Sequence, residues 1–235
     1  MATSLPAPAL MIPPRVDLDG DDPSTLVRGT PEWLRETLKS TSGEMTRLAR
    51  VILAMVVDSY GLAHRSDEIV GVGTTDANFR MLRYCKDSLG ASPPDEQPAV
   101  ALAAHVDGSY LTVLFQNDVD GFELRTRNGG EWVRVRPPGP DSLLVVAGQA
   151  LMALSNGRVH APLHRVVAVG GREDRLSCGV FLQPTKNFVV DAPPELVTAD
   201  TPRRFRPFEY VDYLRFKHTA GNSNGDDVLH RFAGM

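Results

Sequence analysis

Hydrophobic and polar positions change their period once along the chain, and that change divides the sequence. From Thr30 to Leu62, "TPEWLRETLKS" and "TSGEMTRLARVILAMVVDSYGL" place Met45, Leu48, Ala49, Ile52 and Val56 at helical intervals. Thr41 and Glu44 have capping-box spacing, so a second helix is expected to start there, and Gly61 is a plausible stop. From Asn78 onward the pattern becomes short runs rich in Val, Leu, Phe and Tyr: "NFRMLRY", "YLTVLFQ", "FELRT", "EWVRVR", "SLLVVAG", "HRVVAV" and "LSCGVFLQP". Asp120-Gly121 and Asn128-Gly129-Gly130 read as hairpin turns between them. Short antiparallel strands at this density predict a mainly β fold with flanking α-helices, a sandwich or barrel of the jelly-roll type. "RRFRPFEYVDYLRFKHT" predicts a closing amphipathic helix after Pro207, and "AGNSNGDD" beyond it reads as frayed.

The organisation expected is therefore a flexible, Pro- and Gly-rich lead-in over 1–30 with one short strand near Arg15 to Leu18, a helical region over 31–70, a jelly-roll domain over 71–190, and a carboxy-terminal helix and tail over 191–235. At 235 residues the chain can bury one full core.

Charge narrows the partners. Twenty-five basic and 29 acidic residues are interspersed, for a net charge of −4, with no cationic stripe to neutralise a row of phosphates, so nucleic acid is not expected. Two cysteines, Cys85 and Cys178, form no disulfide framework, and the proline-broken start matches neither a signal peptide nor a membrane span. A cytoplasmic monomer acting on a small molecule, away from membranes, is the expectation.

The candidate chemistry begins at "HVDGSYLTVLFQ". Residues two apart on a strand or its extension share a face, so His105 and Asp107 can aim at one point. Alone, His-x-Asp is a common hydrogen-bonded turn, and a third ligand must come from elsewhere. His64, His218 and His230 sit outside the strand region and read as surface residues. His160 lies in the loop "SNGRVHAPL", whereas His164 opens the run "HRVVAV" and mirrors His105 at a strand end, which favours His164. Two imidazoles and a carboxylate leave three metal positions open, the donor set of non-haem Fe(II) oxygenases. A zinc hydrolase would accept the same donors, but no H-E-x-x-H helix is present.

Past His164, "DRLSCGVFLQP" places Arg175 and Ser177 on one strand face. A buried guanidinium is costly unless it meets an anion, and its planar fork fits a carboxylate. An anion pocket beside such a triad implies an acidic chelator such as 2-oxoglutarate; the plain alternative is an ion pair of Arg175 with Glu173 or Asp174.

Taken together, "HVDGSYLTVLFQ", "SNGRVHAPLHRV" and "RLSCGVF" resemble the plant Fe(II)/2-oxoglutarate-dependent dioxygenases. The stretch "DVDGFELRTRNGGEWVRVRPPGPDSLLVVAGQALMALSNG" looks most like the branch producing alkenyl and hydroxyalkyl glucosinolates. The resemblance implies a double-stranded β-helix, His105, Asp107 and His164 as iron ligands, and Arg175 with Ser177 as the holders of the distal carboxylate of 2-oxoglutarate. Tyr84 would line the same pocket. It further implies Fe(II), 2-oxoglutarate and O2, with ascorbate in support, and hydroxylation or desaturation of a small metabolite of plant secondary metabolism with release of succinate and CO2. Glucosinolates, gibberellins and auxins all stay open as substrates. Leu82, Gln149 and Ala161 depart from residues usual in this family, and its members carry a longer amino-terminal region. A truncated, catalytically weak or inactive paralogue that binds metal and small acids without turnover is the alternative expectation.

Overall fold

The computed structural model describes residues 31–86, 99–127, 130–136, 139, 141–168, 173–219, 225 and 227–235. The predicted strand near Arg15 to Leu18, and most of the "AGNSNGDD" segment, lie outside them.

The chain opens with one helix, α1 (Glu32–Ser59), which runs unbroken through the second start expected at Thr41. Ser42 and Thr46 return their hydroxyls to the carbonyls of Lys39 and Ser42 inside the helix rather than capping a new one. Those bonds satisfy the polar side chains within the turn, and Gly43 has open space around it, so nothing interrupts the ladder. Its buried stripe is Met45, Ala49, Leu53 and Val57, a strict fourth-residue repeat, with Leu48, Ile52 and Val56 flanking it half-buried. Gly61, at φ +74°, ends the turn after the helix. A short α2 (Ser66–Val70) follows.

Ten strands succeed it: β1 (Thr75–Tyr84), β2 (Val100–His105), β3 (Leu111–Gln116), β4 (Phe122–Arg125), β5 (Trp132–Arg134), β6 (Leu144–Ala147), β7 (His164–Val167), β8 (Arg175–Pro184), β9 (Val189–Val190) and β10 (Phe208–Glu209). Three helices intervene or follow: α3 (Gln149–Leu154), α4 (Tyr210–Lys217) and α5 (Val228–Ala233). The first eight strands form two antiparallel four-stranded sheets, ordered β1-β8-β3-β6 and β2-β7-β4-β5. Apart from the β4–β5 hairpin, successive strands from β1 to β8 alternate between the sheets, so the chain winds as a double-stranded β-helix with the outer face of the first sheet under α1.

Two sequence expectations change here. Asp120-Gly121 is not a hairpin: β3 and β4 belong to different sheets, and the pair carries the chain across. Gly121 is needed there for contact, since its φ is +141° and a Cβ would stand 2.5 Å from the Val167 carbonyl oxygen. The chain also does not end at α4. In α5, Val228, Leu229 and Ala233 are fully buried in the main core, with Phe232 beside Phe208, Tyr213 and Phe216.

Candidate metal centre and anion pocket

His105 is the last residue of β2 and His164 the first of β7, and the two are register partners across that ladder. Register shifts along β2, between Val100 and Leu102 and again before His105, mark bulges that re-aim the strand end. Asp107 follows in the turn to β3. One donor atom from each of the three side chains lies within 4.8 Å of the others.

Each ring is oriented from behind. The Nδ1 of His105 lies 2.8 Å from the Ala103 carbonyl and that of His164 3.1 Å from the Pro162 carbonyl, so Nδ1–H donates and Nε2 carries the lone pair. Both Nε2 atoms face Asp107 Oδ1, at 3.6 and 3.7 Å. Two lone pairs directed at a carboxylate oxygen, beyond hydrogen-bond length, repel one another unless a cation stands between them. The donor set therefore fits a divalent metal of the nitrogen- and oxygen-binding kind. Asp107 Oδ2 is kept out of this convergence by the Thr112 hydroxyl, which donates to it at 2.5 Å.

Burial is uneven around the centre: 26% of the His105 side chain is exposed, against 6% for His164 and 8% for Asp107. The centre thus opens on the His105 side. Burial, then the neighbouring His164 ring, push the His105 pKa below its ordinary value, against a weaker upward pull from Asp107. The neutral ring that a metal requires is the favoured form.

Further along the same barrel, Arg175 and Tyr84 are register partners across β1 and β8, with the guanidinium carbon 5.0 Å from the Tyr84 ring centre. Arg175 is 4% exposed and makes no ion pair among the described residues. Asp174 turns away instead to Arg83 and to the Lys86 amide, and the surface ion-pair alternative is not what forms. The guanidinium donates to Gln116 Oε1 at 2.8 Å and lies 3.5 Å from Ser177 Oγ, while its Nε is buried without a partner. Desolvation lowers the Arg175 pKa and raises that of Tyr84, opposed in each case by their mutual attraction. An orphaned donor on a buried cation is what an anion pocket leaves when no anion is counted.

Thr112 and Gln116 were not singled out in the sequence, although their signal was present. They are the polar residues on the inward face of an otherwise apolar β3, four apart, one serving Asp107 and the other Arg175. Lys217, near Asp107, carried no such signal. The remaining histidines stay apart: His160 and His218 are exposed, His64 pairs with Glu195, and His230 packs on Phe205. Of the family departures, Leu82 lies opposite Ser177, Ala161 is buried with Val106 and Leu163, and Gln149 is wholly buried at the start of α3.

A double-stranded β-helix with a His-Asp-His cluster and a buried arginine defines an oxygenase type of domain, and comparison with known proteins agrees. Residues 77–184 match the 2OG-Fe(II) oxygenase superfamily, so the chain contains a 2OG-Fe(II) oxygenase domain. Among curated proteins, the chain is 35% identical over 202 residues to a probable 2-oxoglutarate-dependent dioxygenase AOP1 of Arabidopsis thaliana, covering 86% of this chain and 61% of that one. It is 39% identical over 149 residues to the 2-oxoglutarate-dependent dioxygenase AOP2 of the same plant, covering 63% of this chain and 34% of that one. The rice dioxygenase for auxin oxidation superposes with a TM-score of 0.75 at 34% identity, over 88% of this chain and 66% of that structure. The chain thus spans about three-fifths of the length of the AOP1 relative.

Proposed function

We propose that the chain is a non-haem Fe(II)- and 2-oxoglutarate-dependent dioxygenase that oxidises a small plant metabolite by hydroxylation or desaturation. The observation that carries this reading is the convergence of His105 Nε2, His164 Nε2 and Asp107 Oδ1 in the barrel that also buries Arg175, which forms no ion pair among the described residues. In this reading His105, Asp107 and His164 hold the iron, and Arg175, Ser177 and Tyr84 form the pocket for the co-substrate. We take 71–190 as the catalytic unit, with helices of 31–70 and 191–235 contributing side chains to its main core.

Ferrous iron, when bound, supplies dioxygen activation coupled to decarboxylation of the co-substrate to succinate and CO2. The chain's own residues do the positioning. Thr112 and Gln116 are four residues apart, about 13 Å of strand, on the inward face of β3. A diacid bound along that face would be held at its keto-acid end by the metal ligands and at its distal carboxylate by Arg175, whose planar fork suits a carboxylate. Ser177 adds a hydroxyl donor, and the Tyr84 ring closes the wall. Leu114, Val146, Phe122 and Val166 exclude water between the two ends. The proton inventory stays simple, because the imidazoles serve as neutral ligands and no side chain has to act as general acid or base.

The test is succinate formation from 2-oxoglutarate by anaerobically reconstituted protein after admission of O2, with Fe(II) and ascorbate, across a panel of glucosinolates, gibberellins and auxins. Substrate-dependent succinate is the expected result. Production no higher than a metal-free control contradicts the enzyme reading, and a preference for zinc in bound-metal analysis would replace it with hydrolytic chemistry.

A further inference from the structure

Arg175 and Lys217 are the two buried cations among the described residues, and only the first has a use in the pocket above. Lys217 ends α4 and is 8% exposed. Its ammonium donates to the Val106 carbonyl at 2.7 Å and, more weakly, to Gln149 Oε1 at 3.4 Å, with no carboxylate bonded to it among the described residues. A buried charge held by neutral acceptors is an expensive way to fill space that a methionine would fill more cheaply.

The place where this charge is spent is specific. Val106 immediately precedes Asp107, and α4 lies directly on the turn: a Cβ on Gly108 would meet Tyr213 at 3.5 Å and Lys217 Cδ at 3.6 Å. On the other side of the same turn, the Gln149 amide donates to the Asp107 carbonyl at 2.8 Å, and the Gln149 side chain accepts from both Lys217 and the Tyr213 hydroxyl. The carbonyls of Val106 and Asp107 are therefore both held, one by Lys217 and one by α3, while Thr112 holds Asp107 Oδ2. Oδ1 is left as the oxygen that faces the two imidazoles.

We propose that Lys217 is a positioning residue for Asp107: by pinning the Val106 carbonyl from α4, it fixes the turn that aims Oδ1 at the metal. The inference rests on the metal-site reading above. It makes α4 part of the metal centre's support, and it gives the buried ammonium a function.

The experiment is an anaerobic Co(II) titration of metal-free full-length protein, followed by the visible absorption of the bound ion, together with amide hydrogen exchange of the metal-free state. Lys217→Met is expected to weaken Co(II) binding about tenfold or more. It should also speed exchange in the 105–111 region and at the Gln149 amide, with α1 unchanged. Lys217→Arg, which keeps a donor for the carbonyl, restores most of the affinity. Lys217→Gln is too short to reach the Val106 oxygen and shows the same loss, so it carries the test if the methionine variant does not fold. Wild-type Co(II) affinity in either neutral variant overturns the proposal, as does a loss accompanied by faster exchange throughout α1 without rescue by arginine. Wild-type protein that takes up no Co(II) removes the metal-site reading and this inference with it, whereas binding unaffected by Lys217 removes the inference alone.

Discussion

His105 and His164 are 59 positions apart in sequence, yet they face each other across the β2–β7 ladder with ring centres 4.3 Å apart. That pairing makes the site cooperative in origin, because neither ring has a defined place until the two strand ends have met. His164→Ala is expected to abolish Fe(II)-dependent succinate formation and tight Co(II) binding. His160→Ala, at an exposed position away from the cluster, should retain most of both. Equal loss in the two variants, measured by metal titration and succinate assay, would refute the assignment.

Why His164 was separable from His160 in the sequence is physical: a residue that opens a strand has a fixed direction, and one in a loop does not. Arg175 and Ser177 were legible for the same reason, since alternation puts both on one face of β8. What was not legible depends on which strands become neighbours. Asp120-Gly121 looks locally like any tight turn, and only the close approach to Val167 reveals it as a crossover. The unbroken α1 overrode a capping signal at Thr41 because tertiary burial of Met45, Ala49 and Leu53 outweighs a local preference. Lys217 left no pattern at all, as its partner carbonyl is 111 positions away.

Arg175→Ala should raise the 2-oxoglutarate concentration needed for half-maximal turnover by roughly 100-fold, corresponding to about 3 kcal/mol for removing one partner of a buried charge pair. Gln116→Leu leaves the guanidinium in place but removes the acceptor at 2.8 Å. Its effect should be smaller, about tenfold, on the scale of one hydrogen bond to a charged group. Co-substrate titrations of both variants check the order, and an unchanged requirement in Arg175→Ala would contradict the pocket.

The metal-free protein should lose stability as the solution is acidified. His105 is held below its ordinary value of 6.5 in the fold, mainly by burial. The unfolded chain therefore takes up a proton as pH drops through 6.5 while the folded ring stays neutral, and unfolding gains the difference. The contribution is fully present above that value and is lost as pH falls below it toward the folded pKa. Thermal melts of wild type and His105→Gln between about pH 7.5 and about pH 5.5 should show a steeper decline for wild type. Parallel curves would assign the acid sensitivity to other groups.

Leu229 tests whether the last helix belongs to the core. Its side chain is fully buried on α5, on the same short helix as Val228 and Ala233, and the aromatic group of Phe208, Tyr213, Phe216 and Phe232 joins α5 to α4. Leu229→Ala deletes buried carbons whose neighbours are held by that packing, so the cavity collapses little and the cost should be about 3 kcal/mol. Because α4 also presents Lys217 to the Val106 carbonyl, the loss is expected to reach the metal centre. Co(II) affinity should fall in Leu229→Ala together with its denaturation midpoint, and both should recover in Leu229→Met, which nearly conserves the volume. A stability loss with metal affinity untouched would mean that α5 supports the core without steadying α4.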